Sequence, residues 1–288
     1  MEVATGMIAK RPLHMNLSAN LRRALAEQAK KYAIAEAIPH CLSYGDSPVV
    51  CFSPYDGDTR HGNFLNRSYR AIRSQPEWGR RLAKVHTLGK RSFPAGEHGR
   101  WMELDTSTSS DALLMNIFCC PGVLRDRRIL ALIGAEPGAI PEFGYKARVP
   151  LGNGRVDRTE VDLKLGNVLI EAKLTENDFQ SAPRKTLLAY RDFSEVFDES
   201  RLHQRKDRYT AYQLLRNVLA AHALQCSFCV LIDGRRADQV EEWCAVMACV
   251  MPVELRTRLR ISTWQELAQF VPSALRKFLS AKYAIRPT

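Results

Sequence analysis

The sequence predicts an α/β domain built on a mixed β-sheet flanked by helices, with a basic, mainly helical and loop N-terminal region ahead of it. Three observations carry this. Helical periodicity alternates with short apolar strands through the second half of the chain. Two strand candidates near residues 160 and 170 show period-two alternation and meet at a Gly-Asn pair. The 288 residues, 45% hydrophobic and 25% charged, allow one large domain or two ordinary ones and exclude disorder. We divide the chain into residues 1–105, the basic N-terminal region, and residues 106–288, the α/β domain.

From the N-terminus, Leu17 to Ala37 repeats Leu17, Leu21, Leu25 and Ala29 every four residues, an amphipathic helix. Pro39 to Asn63 is rich in Pro, Gly, Asp and Ser and reads as loops. A basic helix is predicted over Asn66 to Val85, with Tyr69 and Trp78 among its arginines; Trp78 reads equally well as a core anchor. The hydroxyl cluster Thr106–Ser110 supplies an N-cap for a helix reaching Phe118, and Val123 to Ala135 is a second helix after Pro121-Gly122. Strands follow at Ala139–Val149, Arg158–Leu165 and Asn167–Leu174, the last two joined as a hairpin at Leu165-Gly166-Asn167. The remainder reads as helix Tyr209–Leu224, strand Cys226–Asp233, helix Ala237–Cys249, strand Arg258–Ser262 and helix Trp264–Tyr283.

Net charge is +11, which points to an anionic partner. Its distribution is uneven. Residues 1–100 carry 16 basic and 8 acidic side chains, residues 101–200 carry 12 and 16, and residues 201–288 carry 14 and 7. Arg60 to Arg100 alone holds ten basic residues against Glu77 and Glu97. No apolar run approaches the roughly 20 residues that cross a bilayer, and Met1–Lys10 lacks a signal-peptide core. A soluble, cytoplasmic protein without membrane contact is expected. The eight cysteines read as buried, reduced thiols. Cys226 and Cys229, three apart on a strand, face opposite sides and make poor joint ligands.

The informative segment is Glu160-Val-Asp162-Leu-Lys-Leu-Gly-Asn-Val-Leu-Ile-Glu171-Ala-Lys173. Strand alternation puts Glu160 and Asp162 on one face, and in the next strand separates Glu171 and Lys173 from an apolar face of Val168, Ile170, Ala172 and Leu174. Hairpin pairing then brings Asp162 to Glu171 and Lys173. Two carboxylates and a lysine converging on a buried hairpin are costly unless something offsets them, and a divalent cation would. Hard cations such as Mg²⁺, with Mn²⁺ as substitute, prefer carboxylate, carbonyl and water oxygens. Asp162, Glu171 and the Ala172 carbonyl supply three. Lys173 would orient or deprotonate a water and offset charge on a phosphate.

This spacing, Asp162 then eight residues then Glu171-Ala172-Lys173, resembles the PD-(D/E)xK nuclease superfamily with its restriction-endonuclease-like fold. The resemblance implies that Asp162 and Glu171 bind Mg²⁺ and that Lys173 assists the attacking water in phosphodiester hydrolysis, in DNA more than in RNA. Val161 stands where a proline often precedes the Asp. Ser109–Phe118 and Glu171–Phe179 are similar to a bacterial branch, the PGN_0703-like proteins, over about residues 109–283. The superfamily often adds an acidic ligand ahead of the Asp strand, which makes Glu142 a candidate. Glu160 is a candidate second-metal ligand or acceptor for Lys173. The helix after the Glu-x-Lys strand often carries a polar residue near the site, and Gln213 is the accessory candidate there, on one side with Tyr209 and Arg216.

Arg205, Lys206, Arg208 and Arg216, with Arg201, are candidate contacts to nucleic-acid phosphates. A homodimer is compatible with the sequence. Against a metal-dependent nuclease stands a nucleic-acid-binding or interaction protein on an idle nuclease-like scaffold. A Ser or Cys hydrolase is disfavoured, because no Gly-x-Ser-x-Gly occurs and the seven His residues lack ligand spacing. ATP use is disfavoured too, since Gly152-Asn-Gly154 lacks a following Lys-Ser/Thr.

Overall fold

A computed structural model of the chain describes residues 17–44, 47–85 and 102–288. Lys90, Arg91 and Arg100 of the basic N-terminal run, with His14, His86 and His98, lie outside these.

Helix α1 (Leu17–Ala35) buries Leu21, Leu25, Ala29 and Ala33, the stripe its four-residue spacing requires. Residues 39–63, predicted as loops, instead contain two short antiparallel pairs, His40–Leu42 with Val50–Phe52 and Pro54–Tyr55 with Arg60–His61. The predicted basic helix is broken: α2 (Asn66–Ser74) stops before Pro76, and a single turn (Pro76–Gly79) and a 3₁₀ turn (Arg80–Ala83) follow. Trp78 is an anchor; its indole donates to the Pro141 carbonyl at 2.9 Å and meets Phe143 edge-on. Helix α3 (Ser110–Phe118) begins where Ser109 accepts from the Ala112 N–H. The next predicted helix shortens to α4 (Arg127–Ile133), capped by Asp126 and closed by Gly134 at φ +77°.

The five-stranded central sheet comprises β1 (Pro141–Lys146), β2 (Glu160–Leu165), β3 (Val168–Ala172), β4 (Ser227–Ile232) and β5 (Leu259–Thr263), adjacent in chain order. Strands β1, β2 and β3 pair antiparallel, while β3, β4 and β5 run parallel. The mixed sheet flanked by helices is therefore present. Between β3 and β4 lies α5 (Tyr212–Ala223), and between β4 and β5 lies α6 (Ala237–Met247). Tyr209, expected on α5, sits instead in a short hairpin in which Gln204–Arg205 pairs with Arg208–Tyr209. The final predicted helix splits at Pro272 into α7 (Trp264–Ala268) and α8 (Ser273–Tyr283).

One sheet face, with Leu169, Phe228, Val230 and Ile232, packs on α5 and α6 through Leu214, Val218, Trp243 and Val246. The other, with Leu163, Ile170, Ala172 and Leu231, packs on α3, α4, α7 and α8, and α1 adds Leu21 and Leu25 to that same core. The back of α3 carries Ala112 and Met115 against Tyr69 and Ile72 of α2. The N-terminal elements are thus continuous with the sheet's apolar core. The eight cysteines are free thiols, six of them buried. Burial pushes Cys226 and Cys229 up to about 11 and about 12, so neither thiol ionises readily.

Candidate active site

The β2–β3 hairpin turns at Gly166, φ +57°, and Asn167, with Leu165 opposite Val168, Lys164 opposite Leu169 and Leu163 opposite Ile170. Regular pairing ends there. One position further, Asp162 and Glu171 face each other, and the Asp162 side chain replaces the missing backbone partner: its Oδ2 accepts the Ala172 N–H at 2.8 Å. In an extended strand a residue's carbonyl points to the same edge as its N–H, so the Ala172 carbonyl is directed into this fork.

Beyond the fork, Lys173 is pinned by its backbone. Its N–H donates to the Leu231 carbonyl of β4 at 2.8 Å, and its carbonyl accepts from Trp264 Nε1 of α7 at 2.9 Å. Lys173 Nζ donates to Glu171 Oε1 at 2.7 Å, and Asn217 Nδ2 of α5 donates to Oε2 at 2.7 Å. Glu171 and Lys173 are 1% and 5% exposed, so this carboxylate has exchanged water for two protein donors. Arg216 continues the chain of contacts, donating to Asn217 Oδ1 at 2.8 Å and to the Glu160 carbonyl at 2.8 Å.

A second group of charges lies alongside. Asp111, 4% exposed in the first turn of α3, accepts from Arg81 Nη2 and Lys84 Nζ, both at 2.9 Å. Arg81 Nη1 reaches Glu160 Oε2 at 2.9 Å, and its Nε is buried without a partner among the described residues. Gly144 of β1, opposite the Asp162 position, makes room for this: at φ +66°, a Cβ there would collide with Arg81 Nη1.

The electrostatics follow from this crowding. Burial and the neighbouring carboxylates of Glu171 and Asp111 push Asp162 well above the usual carboxylate range, against the pull of Lys173 and the Ala172 N–H. Burial alone would lower Lys173, but Glu171, Glu176 and Asp162 outweigh it and raise the ammonium above the ordinary lysine value. Lys173 is therefore a proton-bearing donor here, suited to orienting a water and offsetting charge on an oxygen.

Asp162, Glu171, the Ala172 carbonyl and Lys173 are thus brought together. The oxygen donors suit a hard divalent cation, and the excess negative charge at Asp162 is what such an ion would relieve. Two carboxylates and a carbonyl leave the rest of an octahedron to water or phosphate; among the described residues no cluster of three or more His, Cys, Asp or Glu is arranged for a metal.

Other predicted residues lie elsewhere. Glu142 is exposed on β1, two positions from the residue opposite Asp162, and its Oε1 accepts from Lys164 at 2.8 Å. Glu160 pairs with Arg81 instead of Lys173. Arg216, expected to contact nucleic-acid phosphates, is instead 2% exposed and donates inward to Asn217 and the Glu160 carbonyl, because α5 lays this face against β2. Arg205, Lys206 and Arg208 remain exposed on the hairpin, with Lys206 at its tip at φ +56°. Gln213 lies one turn before Asn217, its Oε1 buried without a hydrogen-bond partner among the described residues.

Sequence reasoning missed Asp111, Asn217 and Trp264. The four-residue spacing of Gln213 and Asn217 was a usable signal for one of them. Asp111 lies within the Ser109–Phe118 segment, but an acid in a helix's first turn suits the N-terminus without any site, so its type and place carried no distinct signal.

No curated protein and no solved structure matches this chain. A family model described as restriction endonuclease associating with ARP matches residues 22–284, which begins within α1 and takes in the sheet and every residue of the fork. The chain belongs to that restriction-endonuclease family.

Proposed function

We propose that the protein is a PD-(D/E)xK-type nuclease that hydrolyses phosphodiester bonds, in DNA before RNA, with Mg²⁺ or Mn²⁺. The observation that carries this reading is the fork itself: Asp162, Glu171, the Ala172 carbonyl and Lys173 converge where β2 leaves β3. Asp162 and Glu171 are the metal-binding carboxylates. When bound, a divalent cation supplies Lewis-acid stabilisation of charge on phosphate oxygens. Lys173 holds a water by donating to it and balances developing negative charge. Asn217 keeps Glu171 aimed at the fork, and Asp111 is a further acid close enough to raise Asp162. The segments Ser109–Phe118 and Glu171–Phe179 support kinship with the PGN_0703-like branch.

The exposed hairpin bearing Arg205, Lys206 and Arg208 is the phosphate-gripping surface. Incubation with linear, circular, single-stranded and branched DNA in Mg²⁺ or Mn²⁺ tests the assignment. Cleavage is expected to fall by about 10²–10⁴-fold in Lys173→Ala, assayed below its lowered melting temperature where circular dichroism shows the variant folded. Wild-type rates in that variant would reject it.

One observation favours a second reading, an idle scaffold that binds nucleic acid. Both Glu171 oxygens already have protein donors. On that reading neither Mg²⁺ nor Mn²⁺ shifts the melting temperature; on ours, either raises it.

A further inference from the structure

Asp162 belongs to two groups of acids at once. Glu171 meets it across the hairpin, while Asp111 of α3 adds its charge to Asp162 and shares Arg81 with Glu160, two residues back on the same face of β2. Acids gathered in this way can hold a pair of divalent ions about 3.5–4 Å apart. How many ions they hold depends on how many of the acids are free to bind one.

Asp111 and Glu160 are not free. Arg81 Nη2 donates to Asp111 and Nη1 to Glu160, both at 2.9 Å, and Lys84 Nζ reaches the same Asp111 oxygen at 2.9 Å and Glu103 at 3.0 Å. The Arg81 side chain is 10% exposed, and Asp162 joins Asp111 and Glu160 in favouring its charge. A guanidinium does not give up its proton, so this positive charge is permanent. Gly144 at φ +66° leaves it the space, since a Cβ there would meet Arg81 Nη1. Formal charge agrees with this placing. The connected ion pairs contribute Glu103, Asp111, Glu160 and Glu171, and Asp162 makes five carboxylates against the three cations Arg81, Lys84 and Lys173. The shortfall of two positive charges is that of one divalent ion. Glu176 and Arg216, the next charges out, offset each other.

We propose that Arg81 holds the place of a second divalent cation, so that the fork binds one ion per chain where a paired site would bind two. The inference rests on the nuclease reading and deepens it. The N-terminal region supplies, as a fixed side chain, the positive charge that a second ion would bring. Glu160, whose sequence position suggested a second-metal ligand, is a partner of Arg81 instead.

The test reads binding and needs no cleavage. The full chain, stripped with EDTA and dialysed, is titrated calorimetrically with Mn²⁺, and the bound ions are examined by electron paramagnetic resonance. The parent is expected to bind about one ion, with the spectrum of an isolated Mn²⁺. Arg81→Met keeps an unbranched stem and removes the charge, and it should bind about two ions whose spins are coupled. Arg81→Lys keeps a charge and should stay at one. Adding Asp111→Asn to Arg81→Met removes a ligand of the extra ion and should return the count to one. Arg81→Met leaves two acids without their guanidinium, so it should melt below the parent in EDTA, and Mn²⁺ should raise its melting temperature by more than the parent's. Two ions in the parent, or a single ion in folded Arg81→Met, would overturn the proposal. If Arg81→Met does not fold, Asp111→Asn and Glu160→Gln in the parent keep it at risk. Each should still bind one ion, and a count of zero would make that acid a ligand of the bound ion and overturn the proposal too. No ion in either the parent or Arg81→Met would instead reject the nuclease reading itself.

Discussion

Glu171 accepts from two donors, and each controls a different property of it. Lys173 supplies the counter-charge, while Asn217 supplies direction from α5. Asn217→Ala leaves one oxygen of a buried carboxylate without its partner, which should cost about 1–3 kcal/mol in urea unfolding. A loss within error of zero would mean that the Asn217 contact does not hold the carboxylate. Gly144→Ala tests the neighbouring charge group. It adds a Cβ at φ +66° and drives it into Arg81, so strain and a lost ion pair combine into a destabilisation of about 1–3 kcal/mol. Arg216 belongs with these interior residues: Arg216→Ala should destabilise by about 3 kcal/mol, as removal of one member of a buried polar network does. A drop in nucleic-acid affinity with unchanged stability would instead restore it to the surface role that its sequence position suggested.

At the scale of elements, α6 carries a pH-dependent liability. Burial, and then Asp178, push Glu242 up to about 7, although a hydrogen bond from the Phe179 backbone pulls the other way. An ordinary unfolded Glu titrates near 4.3. The folded value is the higher one, so the stability this group contributes is complete below about pH 4.3 and is lost as pH rises to about 7. Glu242→Gln should therefore gain stability on the parent between pH 5 and 8, on the order of 1 kcal/mol because water still screens a half-buried carboxyl. A parent-to-variant difference that is the same at both pH values would refute this. Elements also separate what was legible from what was not. The β2–β3 hairpin was readable because alternation, the Gly-Asn turn and the apolar stripe of Val168, Ile170 and Ala172 all require one register. Stripe spacing likewise revealed α1. The breaks at Pro76 and Pro272 were present in the sequence but were overridden by apolar periodicity on either side. Tyr209 continued a helical pattern, yet tertiary pairing with Gln204 claimed it for a hairpin. Asp111 was invisible for another reason: 51 positions separate it from Asp162, and only the packing of α3 on the sheet brings the two charges together.

Across the whole molecule, acids and cations are placed apart. Asp111, Asp162 and Glu171 of the middle third gather at the fork, whereas the hairpin of Arg205, Lys206 and Arg208 is exposed. A surface of this kind binds phosphates by releasing counterions, so affinity for duplex DNA should fall steeply with salt. Replacing all three by Ala should flatten the log–log slope by about 2–3 and leave melting nearly unchanged. An unaltered slope would move the binding surface elsewhere. The family match begins within α1, and α1 shares its core with α3 and α8, so the basic N-terminal helices bear on the sheet's stability as well as on charge.

The sheet order has a kinetic meaning. Strands β1, β2 and β3 are an antiparallel meander of contacts close in sequence, whereas β4 and β5 join only through long parallel crossovers. Local contacts close early, because little chain entropy is lost in forming them. Asp162 and Glu171 therefore meet while the chain is still largely open to water, before Asn217, Leu231 and Trp264 arrive to fix Glu171 and Lys173. Two like charges are forced together ahead of their restraints, which predicts that refolding is faster for Asp162→Asn than for the parent. The residues that would do the chemistry are then also a brake on the nucleus from which the domain folds.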